Sequence, residues 1–138
     1  MAAKDKIDDQ VKNALIKDGW MITHDPFFFK FGQDQLFADL AAQRSLLAER
    51  QGEKIIVEIK SFIGVSAIQE FKLALGQYML YLVVLKRTYP QYRLFTAVSH
   101  LTYETIFQRD VIQLALQEYQ IPLIIINIKQ EEVVAWKS

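Results

Sequence analysis

Several residue types and patterns are missing from this sequence, and each absence excludes a class of protein. The 138 residues contain no cysteine, which excludes disulfide scaffolds, thiolate metal sites and cysteine nucleophiles. Five glycines and three prolines are too few for a collagen-like or linker-like chain. No apolar run approaches the roughly 20 residues that span a bilayer, and the charged segment 1–9 lacks the apolar stretch of a signal peptide. We therefore expect a single cytoplasmic domain, residues 1–138, with no membrane contact.

The charge of the chain is balanced, with 16 basic and 16 acidic residues and a formal net charge of zero. A protein that binds DNA tightly on its own usually carries an excess of basic residues, because neutralising phosphates supplies much of the affinity. A role on nucleic acid therefore needs a local basic patch, a metal ion or a partner protein. Hydrophobic residues make up 51% of the chain, which is enough for a folded core.

Hydrophobic periodicity predicts a mixed α/β fold. The run 27–31 is predicted as strand or loop, and 46–50 as a helical turn or a frayed strand end. A helix over 66–87 begins at Ser66, which pairs with Gln69 as a capping box. Most of its other positions are apolar, so it is either sandwiched in the domain or contributes to a partner interface. In chain order, the remaining predicted elements are a helix over 5–18 closed by Gly19, strands over 20–23, 36–41, 54–62 and 93–98, a helix over 103–119, and strands over 123–127 and 133–136.

Two opposite charges lie inside the most apolar predicted strand. In the sequence IIVEIK, Glu58 and Lys60 are two positions apart and share one face of the strand, while Val57 and Ile59 share the other. Such charges are costly to desolvate unless they have a partner or a function. Two interpretations stay open at this point: a Glu–Lys pair on a half-exposed strand, or part of a site.

Further polar side chains accompany this pair. Asp39 lies in the preceding predicted strand, so that adjacent strands can bring two carboxylates together; alternatively, it is a turn aspartate. Gln77 and Tyr81 share a face of the long helix and either flank a site or belong to the core. Asp8 and Asp9 either reach the same site or are solvated charges near a helix N-terminus. Carboxylates with waters and a phosphate are the ligands that Mg²⁺ prefers.

Asp39, the EIK triplet at 58–60 and the QYMLY run at 77–81 together resemble the PD-(D/E)XK nuclease superfamily, and the glutamine–tyrosine signature resembles its RecB-like branch. The predicted order of helix, three strands, helix and strand is also similar. The resemblance implies a restriction-endonuclease-like fold. In such a fold, a mixed sheet is flanked by helices, and the αβββαβ core is followed here by a C-terminal helix and two strands.

Longer stretches resemble a narrower family over nearly the whole chain. They are VKNAL at 11–15, KDGW at 17–20, ITHDP at 22–26, VEIKSF at 57–62 and ALGQ at 74–77. These strings are similar to the XisH family, the fdxN-element excision controlling factors of cyanobacteria. The resemblance implies a protein that helps a site-specific recombinase to excise a DNA element, together with an XisI-like partner protein. Self-association stays open, and Asp8 stands where the family usually has a histidine.

The superfamily resemblance implies a metal site. In a nuclease of this type, the bound ion would be Mg²⁺ or Mn²⁺, and it would act on a phosphodiester bond of DNA. A further carboxylate from the first helix would bind a second metal or a water. The expected ligands are Asp39, Glu58, the backbone carbonyl of Ile59 and, in addition, Asp9.

Two functions remain as alternatives for the same residues. In the first, the protein is a Mg²⁺-dependent endonuclease in which Lys60 orients the attacking water and stabilises charge on the phosphate. Gln77 and Tyr81 then position Lys60 or the DNA backbone. In the second, the protein is a non-catalytic accessory factor that uses the nuclease fold to dock protein or DNA.

Overall fold

The computed structural model describes residues 7–44 and 52–137, and the segment 46–50 lies outside them. The described chain forms four helices, one 3₁₀ turn and eight strands. In chain order these are α1 (Asp8–Lys17), β1 (Met21–His24), β2 (Phe27–Phe31), β3 (Asp34–Ala38), β4 (Leu40–Arg44), β5 (Glu53–Ile59), α2 (Ala67–Thr88), β6 (Arg93–Ser99), α3 (His100–Glu104), the 3₁₀ turn (Ile106–Gln108), α4 (Asp110–Tyr119), β7 (Leu123–Asn127) and β8 (Glu132–Lys137).

Six strands form one mixed sheet in the order β1-β4-β5-β6-β7-β8. The central strands β5, β6 and β7 are parallel, and the outer pairings are antiparallel. Strands β2 and β3 form a separate antiparallel hairpin. The mixed α/β fold predicted from the periodicity is confirmed. The buried central strands are continuous apolar runs because helices cover a parallel sheet on both faces.

The side chains of β5 point alternately to the two faces of the sheet, and each face has its own hydrophobic core. Ile55, Val57 and Ile59 point to the face that α1 covers. Ile56 points to the opposite face, which packs against α2. Glu58 has the same parity as Ile56, so its carboxylate lies on the α2 side of the sheet.

The predicted single strand over 36–41 is wrong, because the chain is divided at Asp39. β3 ends at Ala38 and pairs with β2 in the hairpin, whereas β4 begins at Leu40 and pairs with β1 and β5 in the main sheet. The physical reason is that the Asp39 amide donates to the side chain of Glu58 and not to a neighbouring strand. The run 27–31 is a strand, so five strands precede α2 and not three.

The predicted helix over 103–119 is also interrupted. α3 ends at Glu104, and the hydroxyl of Thr105 donates to the Leu101 carbonyl at 2.6 Å. The 3₁₀ turn that follows buries Phe107 completely, with its ring edge-to-face against Phe62 and Phe71. A straight helix would not place this ring in the core. The local structure here is therefore determined by tertiary packing and not by the helical pattern of the sequence.

Helix α2 begins as the capping pattern predicts, because the amide of Gln69 donates to Ser66 Oγ at 3.3 Å. Its inner face buries aromatic and aliphatic side chains against the sheet and α4. Its outer face is exposed and mixes apolar with charged side chains, so the helix is not sandwiched inside the domain. None of the described helices is long and apolar enough to cross a bilayer.

Candidate functional site

Asp39 and Glu58 hold each other across the boundary between the hairpin and the main sheet. The amide of Asp39 donates to Glu58 Oε1 at 3.0 Å, and the amide of Ile59 donates to Asp39 Oδ2 at 2.6 Å. Glu58 therefore accepts a hydrogen bond from the main chain between β3 and β4, and Asp39 accepts one from the main chain of β5. We call this pair of hydrogen bonds the Asp39–Glu58 clasp. It brings together two acids that are nineteen positions apart in sequence.

The environment of Glu58 disfavours its charge. Burial, and then the negative charge of Asp39, raise the pKa of Glu58 from 4.5 to about 8. The ammonium of Lys60 and the amide of Asp39 act in the opposite direction. A further positive charge beside the two carboxylates would favour the ionised form of Glu58, and a bound divalent cation supplies one.

Gln77 connects the two charged residues of the β5 segment. Its Nε2 donates to Glu58 Oε2 at 2.8 Å, and its Oε1 accepts from Lys60 Nζ at 2.5 Å. Lys60 Nζ itself lies 3.7 Å from Glu58 Oε2. Lys60 follows the last residue of β5, and its amide donates to the Ala97 carbonyl of β6, which fixes its backbone. The side chain of Lys60 is 30% exposed.

Tyr81 acts on the hairpin and not directly on Lys60. Its hydroxyl donates to the main-chain carbonyl of Phe37 at 2.9 Å, two residues before Asp39. Burial raises the pKa of Tyr81, so the hydroxyl stays protonated and remains a donor. Phe37 was not predicted as part of the site, since a contact through a main-chain carbonyl leaves no signal in the residue type.

The donor atoms of the site fit a small divalent cation that keeps part of its water shell. Within residues 7–44 and 52–137, no group of three or more His, Asp or Glu side chains lies close enough to hold a metal ion. An ion would therefore take the carboxylates of Asp39 and Glu58 and complete its shell with main-chain oxygen and water, as Mg²⁺ commonly does. Each carboxylate oxygen has two lone pairs, so it can accept a hydrogen bond and contact a cation at the same time.

The acids of α1 are placed elsewhere. α1 packs on the sheet face opposite to Glu58. Asp8 is buried and forms an ion pair with Lys12 at 2.7 Å, and Lys12 also pairs with Asp25. Asp9 is exposed on the same helix. The described structure therefore does not join Asp8 or Asp9 to Asp39 and Glu58 in a cluster of three ligands.

Comparison with known proteins identifies similar sequences and structures. The XisH family model, described as XisH protein, matches residues 1–134. The crystal structure of an XisH family protein from Nostoc punctiforme PCC 73102 is 40% identical, with a TM-score of 0.88 over 97% of this chain and 100% of that chain. The crystal structure of a fdxN element excision controlling factor protein from Anabaena variabilis is 39% identical, with a TM-score of 0.86 over 98% of this chain and 100% of that one. None of the curated proteins matches.

Proposed function

This chain belongs to the XisH family, and we propose that it is an excision controlling factor that assists a site-specific recombinase in excising a DNA element. The Anabaena variabilis relative, which is named for control of fdxN element excision, supports this role at 39% identity over almost the whole chain. The proposed partners are DNA, the recombinase and an XisI-like protein. The proposed location is the cytoplasm, where the DNA is.

The finer proposal is that the domain is a restriction-endonuclease-like fold of the PD-(D/E)XK type and that it carries a site for DNA phosphodiester cleavage. The observation that supports it is the Asp39–Glu58 clasp, with the ammonium of Lys60 next to Glu58. Two carboxylates can bind a divalent cation, and an ammonium beside them can bind a phosphate. All three groups lie at the end of a central strand.

The residues of the site have separate tasks in this proposal. A Mg²⁺ or Mn²⁺ ion held by Asp39, Glu58 and the Ile59 carbonyl would acidify water and neutralise charge on the phosphate. Lys60 binds the phosphate oxygens through its ammonium. Gln77 keeps the Lys60 ammonium and the Glu58 carboxylate at a fixed spacing, because its amide contacts both.

The alternative function is a non-catalytic accessory factor. Two observations favour it: the formal net charge of zero and the exposed apolar side chains of Leu73, Leu80 and Val83 on α2, both of which suit a protein that works inside a complex. In this case the Asp39–Glu58 clasp has a structural role, since it attaches the hairpin to the main sheet.

Reconstituted excision with the recombinase, an XisI-like protein and a DNA element tests both functions. Lys60→Met is compared with Lys54→Met, which changes an exposed lysine of β5. If the site cleaves DNA, Lys60→Met loses Mg²⁺-dependent nicking and excision, whereas Lys54→Met keeps both. Full excision by Lys60→Met would exclude the cleavage role and leave the accessory role. No dependence of excision on the protein at all would reject the excision role.

A further inference from the structure

A cavity of about 120 Å³ lies on the sheet face that α1 covers, at the end where β5 and β6 begin. It is separate from the candidate site, because Glu58 lies on the other face and near the other end of β5. We call this cavity the tryptophan cup. Its lining includes two arginines, one glutamate and three aromatic residues, namely Arg44, Arg93, Glu53, Trp20, Phe95 and Trp136.

Three rings stand side by side in the tryptophan cup. The ring centroid of Trp136 lies 5.5 Å from that of Trp20 and 5.2 Å from that of Phe95. Trp20 and Phe95 are buried, whereas Trp136 is partly exposed. A cavity of roughly 150 Å³ holds one benzene-sized ring. The tryptophan cup is close to this size, so it has room for one small planar ring beside Trp136.

One end of the tryptophan cup carries a negative charge. The guanidinium of Arg44 lies 4.5 Å from the ring centroid of Trp20. It pairs with Glu53 at 3.0 Å and with Asp18 at 3.5 Å, so one cation faces two carboxylates. The side chain of Glu53 is 41% exposed. Because a carboxylate has two oxygens, Glu53 can accept from Arg44 and from a ligand at the same time.

The other end of the tryptophan cup is positive. Arg93 is exposed, and its guanidinium carbon lies 4.9 Å from the ring centroid of Phe95. Within residues 7–44 and 52–137, no carboxylate forms an ion pair with Arg93. A guanidinium matches the geometry of a phosphate or carboxylate, to which it donates two parallel hydrogen bonds. An anionic group is therefore favoured at this end.

The distance between the two ends restricts the ligand. Arg93 is the register partner of Ile55, and Glu53 precedes Ile55 by two residues. From the rise along a strand and the spacing between strands, the backbone positions of Glu53 and Arg93 are about 8 Å apart. A ligand therefore needs a hydrogen-bond donor and an anion at opposite ends. A free amino acid carries its two charged groups on one carbon and does not meet this requirement.

We propose that the tryptophan cup binds a cytosine nucleotide whose base is unpaired. The base lies against Trp136, its exocyclic amino group donates to Glu53, and its phosphate binds Arg93. Carboxylates recognise cytosine through this amino group. Aromatic and arginine side chains are common contacts of unpaired bases and their phosphates.

Two features of the tryptophan cup select cytosine among the bases. Thymine carries a carbonyl oxygen where cytosine has the amino group, and the carboxylate of Glu53 would repel this oxygen. Adenine and guanine have two fused rings, which exceed a cavity with room for one. Cytosine combines a single ring with the required donor.

The inference rests on the proposed function in one respect, because DNA is the proposed partner and an unpaired strand is one source of such a nucleotide. A free cytosine nucleotide has the same chemistry and is the other source. Binding needs neither the Asp39–Glu58 clasp nor a metal ion, since the tryptophan cup lies on the other face of the sheet.

Tryptophan fluorescence reports on the tryptophan cup, because both tryptophans of the chain line it. The wild type is titrated, with a metal chelator present, with a short oligodeoxycytidylate, the matching oligothymidylate and deoxycytidine monophosphate. We expect the oligodeoxycytidylate to quench the fluorescence and to bind at least about fivefold more tightly than the oligothymidylate. Equal binding of the monophosphate would assign the tryptophan cup to a free nucleotide. Weaker binding of the monophosphate would assign it to an unpaired strand.

Two variants test the contacts at the two ends. Arg93→Met should weaken the binding of oligodeoxycytidylate at least about tenfold. Arg109→Met is the matched control, because Arg109 is an exposed arginine just before α4, and it should bind like the wild type. Glu53→Gln can still accept from Arg44, but it can also donate to the carbonyl oxygen of thymine.

Glu53→Gln should therefore bind oligothymidylate more tightly than the wild type does and should lose the preference for cytosine. A purely structural role of Glu53 would weaken the binding of both oligonucleotides. Circular dichroism checks that each variant is folded.

Three outcomes would overturn the proposal. They are a wild type whose fluorescence no cytosine probe changes at the highest concentration reached, equal affinity of the wild type for the two oligonucleotides, and equal affinity of Arg93→Met and Arg109→Met for oligodeoxycytidylate. Cytosine binding by a protein on which excision does not depend would reject the proposed function and keep this inference. Excision that depends on the protein, without cytosine binding, would do the reverse.

Discussion

The amide of Asp39 donates to Oε1 of Glu58 at 3.0 Å, so a main-chain group between two strands is bound by a side chain of a third. The contact serves two purposes. It ends β3 and starts β4 at a defined residue, and it sets the distance between two carboxylates. The fold and the candidate chemistry therefore depend on the same hydrogen bond. Variants of Asp39 or Glu58 must be measured for both stability and activity.

Removing the Asp39 carboxylate should destabilise the fold. Asp39→Ala leaves the Ile59 amide without its acceptor, and a buried donor without a partner costs about 1–3 kcal/mol. Asp34→Ala, which changes an exposed acid at the start of β3, should stay within about 0.5 kcal/mol. Urea denaturation of both variants measures the free energies of unfolding. Equal values for the two would show that the clasp contributes nothing to stability.

Stability should fall as the pH rises through the neutral range. The unfolded Glu58 loses its proton near pH 4.5, whereas the folded one keeps it until about pH 8. The folded state therefore binds more protons between these values, and its stability decreases with pH across this window and levels off above it. Glu58→Gln keeps the side-chain shape and has no proton to lose. The free energies of unfolding of both proteins are measured at pH 5, 6, 7 and 8. From pH 5 to pH 8, the wild type should lose roughly a few kcal/mol of stability relative to the variant. A constant difference would contradict the raised pKa.

Mg²⁺ or Mn²⁺ should bind to the folded protein and raise its melting temperature in proportion to the logarithm of its concentration. Binding should weaken below pH 8, because protons compete for Glu58. Isothermal titration of Asp39→Asn should show no heat of binding, whereas Asp9→Asn should bind like the wild type because Asp9 lies outside the clasp. Heat lost in Asp9→Asn and kept in Asp39→Asn would place the metal at α1.

Strand alternation was sufficient to predict that Glu58 and Lys60 share a side of β5, and helical spacing to predict that Gln77 and Tyr81 share a side of α2. The division at Asp39 was not predictable, since the side chain that binds its amide lies nineteen residues away. The interruption between α3 and the 3₁₀ turn was not predictable for a similar reason. It depends on the packing of Phe107 against rings that are distant in sequence. The spacing of four residues on a helix is compatible with the ion pair between Asp8 and Lys12, but it could not show that Lys12 also pairs with Asp25.

The position of Asp39 also depends on a hairpin that is not part of the main sheet. The outer face of this hairpin exposes the rings of Phe28 and Phe37, whose centroids are 6.0 Å apart. A macromolecule that binds to those rings would displace Asp39 relative to Glu58 without moving the six-stranded sheet. The affinity of the site for a metal ion would then change when a macromolecule occupies the aromatic surface.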